Sequence, residues 1–470
     1  MLFSSHQFIF LFFPAVLLGY YGLNRLDRPW VARSWLVMAC LFFYGWFEPS
    51  YLILIVSSIV VNFMIGRWLA GTPSGRWRMV ALGVGTAFNV GLLGYYKYSD
   101  FLVENINALC GLEWTMKGLL LPLGISFFTF QQLSYLVDCH RREAPTRYNL
   151  LNYSLFVLFF PQLIAGPIVL HHEMMPQFDD PKNTKPDSLN LAAGVHLFAI
   201  GLFKKVVLAD TFAEWATNGF DVLPVLTFWQ AWVAALAYTR QIYFDFSGYC
   251  DMAMGIARMF NIHLPANFNS PYRARSIKDF WTRWHMTLGR FLSHYVYFPL
   301  GGNRRGRFRT YANLMATFLV SGLWHGAGWT FVIWGGLHGV AMIIQRAWNE
   351  RGLEMHRWLG RALTLFFVIC AWVLFRAESM TAAMKVYRGM FFSADFRWSQ
   401  IDAVLTAGVS ASDARDWLIA GFMMVLVCKN AMVKSHTFQP TVRNGVATVL
   451  LVVVAILYMS RISPFIYYNF

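Results

Sequence analysis

Charge is what this sequence is short of. Asp, Glu, Lys and Arg make up 13% of its 470 residues, about half the roughly 25% of a soluble domain. That supply cannot cover a water-soluble surface of this size, so a soluble globular fold is set aside. Paired cysteines are missing too. Cys40, Cys110, Cys139, Cys250, Cys370 and Cys428 are scattered, mostly within apolar stretches and without C-x-x-C spacing, so neither a structural zinc site nor a disulfide framework is expected. The net charge is +15, yet no RNP-type motif, zinc-finger spacing or isolated basic domain accompanies it, which argues against a nucleic-acid partner. There is no G-x-S-x-G elbow, Walker loop or nucleotide-binding glycine fingerprint, and a covalent serine mechanism has no support. The opening Met1-Leu2-Phe3-Ser4-Ser5 lacks the basic region of a secretory signal. No clear small-x-small cleavage site follows the run 8–18, so that run is read as a retained short helix containing Pro14. No linker, low-complexity tract or fixed-period repeat divides the chain, and one domain over 1–470 is expected.

Apolar residues fill the gap. The chain is 57% hydrophobic and 18% aromatic, with a mean hydropathy of +0.44. Apolar segments fall at 6–22, 33–47, 51–70, 79–96, 118–137, 150–170, 190–209, 226–258, 311–324, 328–346, 360–376, 416–433 and 445–462. A crossing takes about 20 such residues. The expectation is an all-α polytopic membrane protein of about a dozen transmembrane or half-crossing helices. Interrupted backbone at membrane depth survives only inside protein or beside a water-filled cavity, so a cavity is expected around 260–345. The segment 272–310 carries Arg273, Arg275, Lys278, Arg283, Arg290, Arg304, Arg305, Arg307 and Arg309 against Asp279 alone. Arg25/Arg28/Arg33, Arg76/Arg78 and Arg141/Arg142/Arg147 mark further basic turns. By the positive-inside rule these turns face the cytoplasm. A loop at 97–117, with Asp100, Glu104 and Glu113, is placed outside. The stretch 377–415 is read as an extramembrane loop.

Ionisable groups at membrane depth are functional by default. His325 stands in Ser321-Gly322-Leu323-Trp324-His325-Gly326-Ala327-Gly328-Trp329, where a neutral imidazole can act as a base. His338 follows thirteen residues later, in Trp334-Gly335-Gly336-Leu337-His338-Gly339. On one straight helix the two would lie about 20 Å apart, so the chemistry goes to His325 and packing to His338. His285, in Phe280-Trp281-Thr282-Arg283-Trp284-His285-Met286, either walls a polar tunnel or belongs to an interfacial aromatic helix. Asp245 and Asp251 are read first as partners of an arginine and second as substrate contacts. His171-His172 is a single adjacent pair without a second histidine box, so no metal is expected.

Taken in order, several motifs resemble the membrane-bound O-acyltransferase family. They are Phe280-Trp281-x-Arg283-Trp284-His285, Tyr295-Val296-Tyr297, Gly301-Gly302-Asn303-Arg304, Leu323-Trp324-His325-Gly326 and Trp334-Gly335-x-x-His338-Gly339. Leu121-Pro122-Leu123-Gly124-Ile125-Ser126-Phe127, Phe160-Pro161-x-Leu163-Ile164-Ala165-Gly166-Pro167, Tyr243-Phe244-Asp245-Phe246-Ser247-Gly248-Tyr249 and the end Phe465-Ile466-Tyr467-Tyr468-Asn469-Phe470 agree with it. The likeness looks greatest to the bacterial branch that includes the alginate O-acetylation membrane protein. Two places depart from it: Ser293-His294 stands where relatives commonly have Arg-Asp, and Leu170-His171-His172 where they often carry Arg or Lys.

The resemblance implies catalytic His325 with His285 as second active-site position, in helices around a central tunnel. It implies acetyl transfer across the bacterial inner membrane to an exopolysaccharide of alginate or cellulose type, through a periplasmic acetyltransferase and the polysaccharide synthesis machinery. The donor would be acetyl-CoA, used as substrate with no tightly bound cofactor. Arg273, Arg275, Arg283, Arg304 and Arg305 are its candidate basic entrance. Peptidoglycan or teichoic acid acceptors, and a transporter or scaffold without catalysis, are the alternatives.

Overall fold

Backbone in lipid must satisfy its own hydrogen bonds, and every element among the described residues is helical. The computed structural model describes all residues except 145–147, 407, 428–429, 431–436, 460–464 and 467–470. Arg147, Cys428 and the terminal Tyr467-Tyr468-Asn469-Phe470 therefore lie outside the described residues, with part of segment 416–433. The helices that build the centre are α1 (Arg76–Cys110), α2 (Ile125–Arg141), α3 (Ser188–Val222), α4 (Phe228–Met259), the short α5 (Ile277–Trp281) and α6 (Met286–Leu292), α7 (Gly306–His325), α8 (Trp329–Glu350) and α9 (Arg357–Arg376). Of these, α1, α3 and α9, with Tyr51–Gly71 nearer the N-terminus, are long and apolar enough to cross a membrane.

The longest unbroken α-helix, α4, is buried along most of its 32 residues. It packs on α3 through glycine. A Cβ on Gly248 would stand 2.8 Å from the Gly201 carbonyl, and one on Gly255 2.6 Å from that of Gly194, so the two backbones touch, as small residues allow between membrane helices. A π turn of α3 then sets Lys204 2.6 Å from Asp251, and Lys205 2.7 Å from Asp210 and 2.8 Å from Asp245. The partner of each acid is thus a lysine and not the expected arginine. At so close a crossing a slender ammonium stem reaches where a planar guanidinium would not.

Two loop assignments and one apolar segment change. The supposed loop 97–117 is helical to Cys110, because α1 runs on through a π turn at Gly94–Tyr98. Its acidic Asp100 accepts from the backbone amides of Lys117 and Gly118, closing the turn that follows. The stretch 377–415 contains the helix Met380–Phe392, whose Ala383, Val386, Gly389 and Met390 are buried. Segment 150–170 holds only the short helices Leu150–Leu158 and Phe160–Leu163, and its irregular remainder is buried in protein. The broken region 260–345 is broken as expected, with α5 and α6 as short pieces between irregular segments.

Candidate active site

The chain reverses immediately after His325. Gly326 and Gly328 are extended, at φ −160° and −172°, and α8 returns antiparallel to α7. A Cβ on Gly322 would meet the Phe331 carbonyl at 2.3 Å, and one on Gly335 the Phe318 carbonyl at 2.4 Å. Only glycine permits that approach. The straight-helix picture of His325 and His338 is therefore wrong: they sit on opposite arms of a hairpin. The Trp334 ring lies against both, 5.2 Å from His325 and 4.7 Å from His338. His338 accepts a hydrogen bond from Trp281 Nε1 at 3.2 Å through Nδ1.

The second arm of the site is the break between α5 and α6. Ser276 caps α5 by accepting from the Asp279 amide, as N-cap serines do. His285 then takes φ +44° at the start of α6, a left-handed conformation uncommon for a residue with a Cβ. Its segment is two helical pieces and no continuous aromatic-belt helix. The His285 ring is fully buried, with His325 6.3 Å away between ring centroids. Phe246 packs at 4.8 Å and Trp324 at 5.8 Å. Trp324 at 4.9 Å and Phe375 at 5.0 Å complete the wall around His325, which is 2% exposed.

Hydrogen bonds assign the His285 tautomer. The Thr287 amide and hydroxyl both donate to Asn267 Oδ1, at 3.2 and 2.9 Å, which identifies that atom as oxygen. His285 Nδ1, 3.1 Å from the same oxygen, must then carry the proton. Its Nε2 is left with a lone pair and has no hydrogen-bond partner among the described residues. Ser321 Oγ, Trp334 Nε1 and His338 Nε2 are likewise buried and unpartnered. So many unanswered polar atoms in one place are unusual in a folded interior and mark where a ligand's polar groups would be met.

Two recesses approach this pair. The wide one, about 1200 Å³, is lined by Ser321, Thr317 and Trp281 at its depth and by Asn349 and Glu350 at the far end of α8. The smaller, about 630 Å³, is lined by Gly326, Ala327, Thr330 and Phe375 together with Lys97, Gln241 and Arg376. Since α8 is about 33 Å long, the recesses open at its opposite ends. Neither His285 nor His325 lines either recess; their chain neighbours do, Met286 and Thr287 the wide one and Gly326 the smaller, and the Trp324, Trp334 and Phe375 rings pack around His325 as an aromatic partition.

Basic residues divide between different surfaces. Arg258, Lys278, Arg290 and Arg346 line the wide recess, where Arg290 is already held by Glu173 and Arg346 by Glu350. Arg273, Arg275 and Arg283 instead line a separate recess with Asp279 and Arg361. It lies on the face of α5 opposite to Lys278 and Trp281. Arg304 and Arg305 are exposed and line neither. Asp138, His171 and His172 each bring a ligand atom to within 4.8 Å of one another. Both His171 nitrogens are occupied by protein, however: Nε2 by Asp138 at 3.0 Å and Nδ1 by the Tyr148 hydroxyl at 3.1 Å.

One residue of the site escaped the sequence reading. Lys97 Nζ donates to the Trp324 carbonyl at 2.6 Å, the His325 carbonyl at 3.2 Å and Ser126 Oγ at 3.1 Å. The sequence reading leaves it unremarked as the first residue of the loop 97–117. Its position as a single cation in the aromatic run Tyr95-Tyr96-Lys97-Tyr98 was the available signal.

Comparison with known proteins shows what the chain resembles along its length. Residues 121–384 match the model of MBOAT, the membrane-bound O-acyltransferase family. A peptidoglycan O-acetyltransferase of Helicobacter pylori is 46% identical over 419 residues, covering 83% of this chain and 80% of its own. A probable alginate O-acetylase of Azotobacter vinelandii is 36% identical over 514 aligned positions, covering 100% of both chains. A teichoic acid D-alanyltransferase of Bacillus subtilis is 29% identical over 281 residues, 54% of this chain and 69% of its own.

Proposed function

This chain belongs to the membrane-bound O-acyltransferase family and is a membrane O-acyltransferase; from that premise we propose that it moves acetyl groups from cytoplasmic acetyl-CoA across the bacterial inner membrane for O-acetylation of a cell-envelope or secreted polysaccharide. The observation that carries the reading is the burial of His285 and His325, 6.3 Å apart, between recesses opening at opposite ends of α8. A polyanionic thioester suits the wide recess, with Arg258 and Lys278 on its wall to attract it. The acceptor hydroxyl enters from the Lys97 side.

A thioester is already activated, so the hydroxyl needs positioning and a base. The His325 imidazole takes the hydroxyl proton as the oxygen attacks the thioester carbonyl carbon. When the tetrahedral adduct collapses, the carbon–sulfur bond breaks and the imidazolium returns that proton to the departing thiolate. His285 offers only its Nε2 lone pair, so it orients the acceptor by accepting from a second polar hydrogen on it, the attacking hydroxyl's one proton being directed at His325. In that protonation state it cannot donate to a developing oxyanion. The aromatic partition keeps water from hydrolysing the thioester.

The attacking hydroxyl is in this reading a carrier's on the far side, and a periplasmic acetyltransferase then moves the acetyl from that ester to a hydroxyl of the polymer, returning the carrier's alcohol. The acceptor is resolved by ester content. Acetyl esters of peptidoglycan, alginate and cellulose are measured in cells with and without the gene, and in cells carrying His325→Ala. Loss of ester from one polymer, reproduced by the variant at normal protein level, supports the reading. Unchanged esters in all three, or full transfer by the variant, overturn it. Labelled acetyl-CoA left intact by membranes that also contain the polymer acceptor and the periplasmic acetyltransferase would instead indicate a transporter or a scaffold.

A further inference from the structure

An α-helix leaves its last four carbonyls without intrahelical donors, and at membrane depth no bulk water supplies them. In α7 those carbonyls belong to Gly322, Leu323, Trp324 and His325, the segment that carries the proposed base. Gly322 receives the Gly326 amide at 3.2 Å. The other three are met from another helix. Tyr98 donates its hydroxyl to Leu323 at 2.5 Å, and Lys97 gives Nζ to Trp324 at 2.6 Å and His325 at 3.2 Å. Both donors stand in the π turn Gly94–Tyr98 of α1, and such widened turns recur at functional sites. No carboxylate forms an ion pair with Lys97 among the described residues. Its counter-charge is the negative end of the α7 dipole, where a cation is favoured.

We propose that Lys97 is a positioning residue of the transfer reaction: with Tyr98 it clasps the C-terminal end of α7 and holds the His325 ring between the two recesses. Trp324 of the same turn is held through its side chain, its Nε1 donating to the Ser126 carbonyl at 3.2 Å and its ring packing on Phe127 and Phe130, so the clasp fixes the backbone of the final turn beside that packing. Lys97 also faces the smaller recess, which makes its amine reachable from the acceptor side. The inference rests on the proposed function through its activity arm alone.

The test compares wild type, Lys97→Met, Lys97→Ala, Lys97→Arg and Tyr98→Phe as full-length protein, in membrane vesicles of the producing cells that retain the acceptor for turnover and in proteoliposomes for exchange. Acetyl-CoA turnover and backbone hydrogen exchange over 319–331 are read side by side. The expected result is a fall in kcat of about 10²-fold for Lys97→Met, the size of a small misplacement of a catalytic group, with KM for acetyl-CoA within a factor of about two. Lys97→Arg restores a part, Tyr98→Phe costs less than Lys97→Met, and added propylamine rescues Lys97→Ala. Exchange in the last turn of α7 rises in Lys97→Met and falls back in Lys97→Arg. Turnover and exchange both at wild-type levels in Lys97→Met overturn the proposal. So does a loss that tracks only the amount of folded protein and ignores propylamine. If wild type consumes no acetyl-CoA, the donor assignment fails, and the exchange arm still decides the clasp.

Discussion

His171 and His285 are both fully buried, and the molecule treats them in opposite ways. His171 has a protein partner on each nitrogen, Asp138 and Tyr148, and Asp138 is bound again by the Tyr295 hydroxyl at 2.8 and 3.0 Å. His285 has Asn267 on Nδ1 and nothing on Nε2 among the described residues. A saturated imidazole is a strut, because moving a proton on it breaks a bond already made. An unsaturated one in a sealed interior costs stability, and it persists where a ligand is to answer it. The comparison teaches that burial alone does not distinguish the two roles; the second nitrogen does.

The largest effect should come from His325→Ala, which lowers acetyl transfer by about 10²- to 10⁴-fold, the usual worth of a general base, with insertion and yield unchanged. Radiolabelled acetyl transfer from acetyl-CoA in membrane vesicles that retain the acceptor measures it. His285→Ala comes next, at about 10- to 10²-fold, since it removes an orienting acceptor and leaves the base. Asn267→Leu should cost about 10-fold with His285 intact, because Nδ1 is then no longer obliged to carry the proton. Solid-state nitrogen NMR of labelled histidine would show the mixed tautomers. If the Asn267 variant keeps both its tautomer and its rate, the distinction between the two histidines loses its basis. On the wall of the wide recess, Lys278→Met should raise KM for acetyl-CoA by about 3- to 10-fold with kcat unchanged, an effect that weakens as salt is added. The smallest effect on transfer belongs to His171→Phe. Turnover per folded molecule stays within about twofold while stability drops by about 1–3 kcal/mol, read as a lower unfolding temperature in detergent. A large turnover loss there would place Asp138 and His171 in the chemistry after all.

Much of the site was legible from residue order. The Trp-His-Gly and Arg-Trp-His motifs stood out because ionisable groups are rare in apolar sequence. The interrupted pattern of 260–345 announced irregular backbone beside a cavity. Lys97 was missed because a hydropathy window sees a charge as the end of a helix, whereas here the charge is absorbed by carbonyls of another helix. The lysine partners of Asp245 and Asp251 were missed for a related reason: Lys204 and Lys205 lie some forty residues away in sequence and are brought near only by the glycine contact between α3 and α4. The basic entrance was read as one surface because its arginines are close in sequence. In space Arg273, Arg275 and Arg283 share one recess with Asp279, across α5 from Lys278, while Arg304 and Arg305 line neither that recess nor the wide one.

Composition by itself determined the solvent, since 13% charge leaves lipid as the medium for so much apolar surface, and with the solvent came helices as the only element that saturates its own backbone. The sequence also singled out His325 and His285, which the fold buries beside one another. Tertiary structure alone decided that His285 and His325, forty residues apart in the chain, face each other, that His338 stands across a hairpin from His325, and that one imidazole nitrogen is free to accept while its counterpart in His171 is not. Those outcomes depend on two glycine-tight crossings and on one amide oxygen held by Thr287, and distances of that kind are set by packing between helices, which no local pattern of residues encodes.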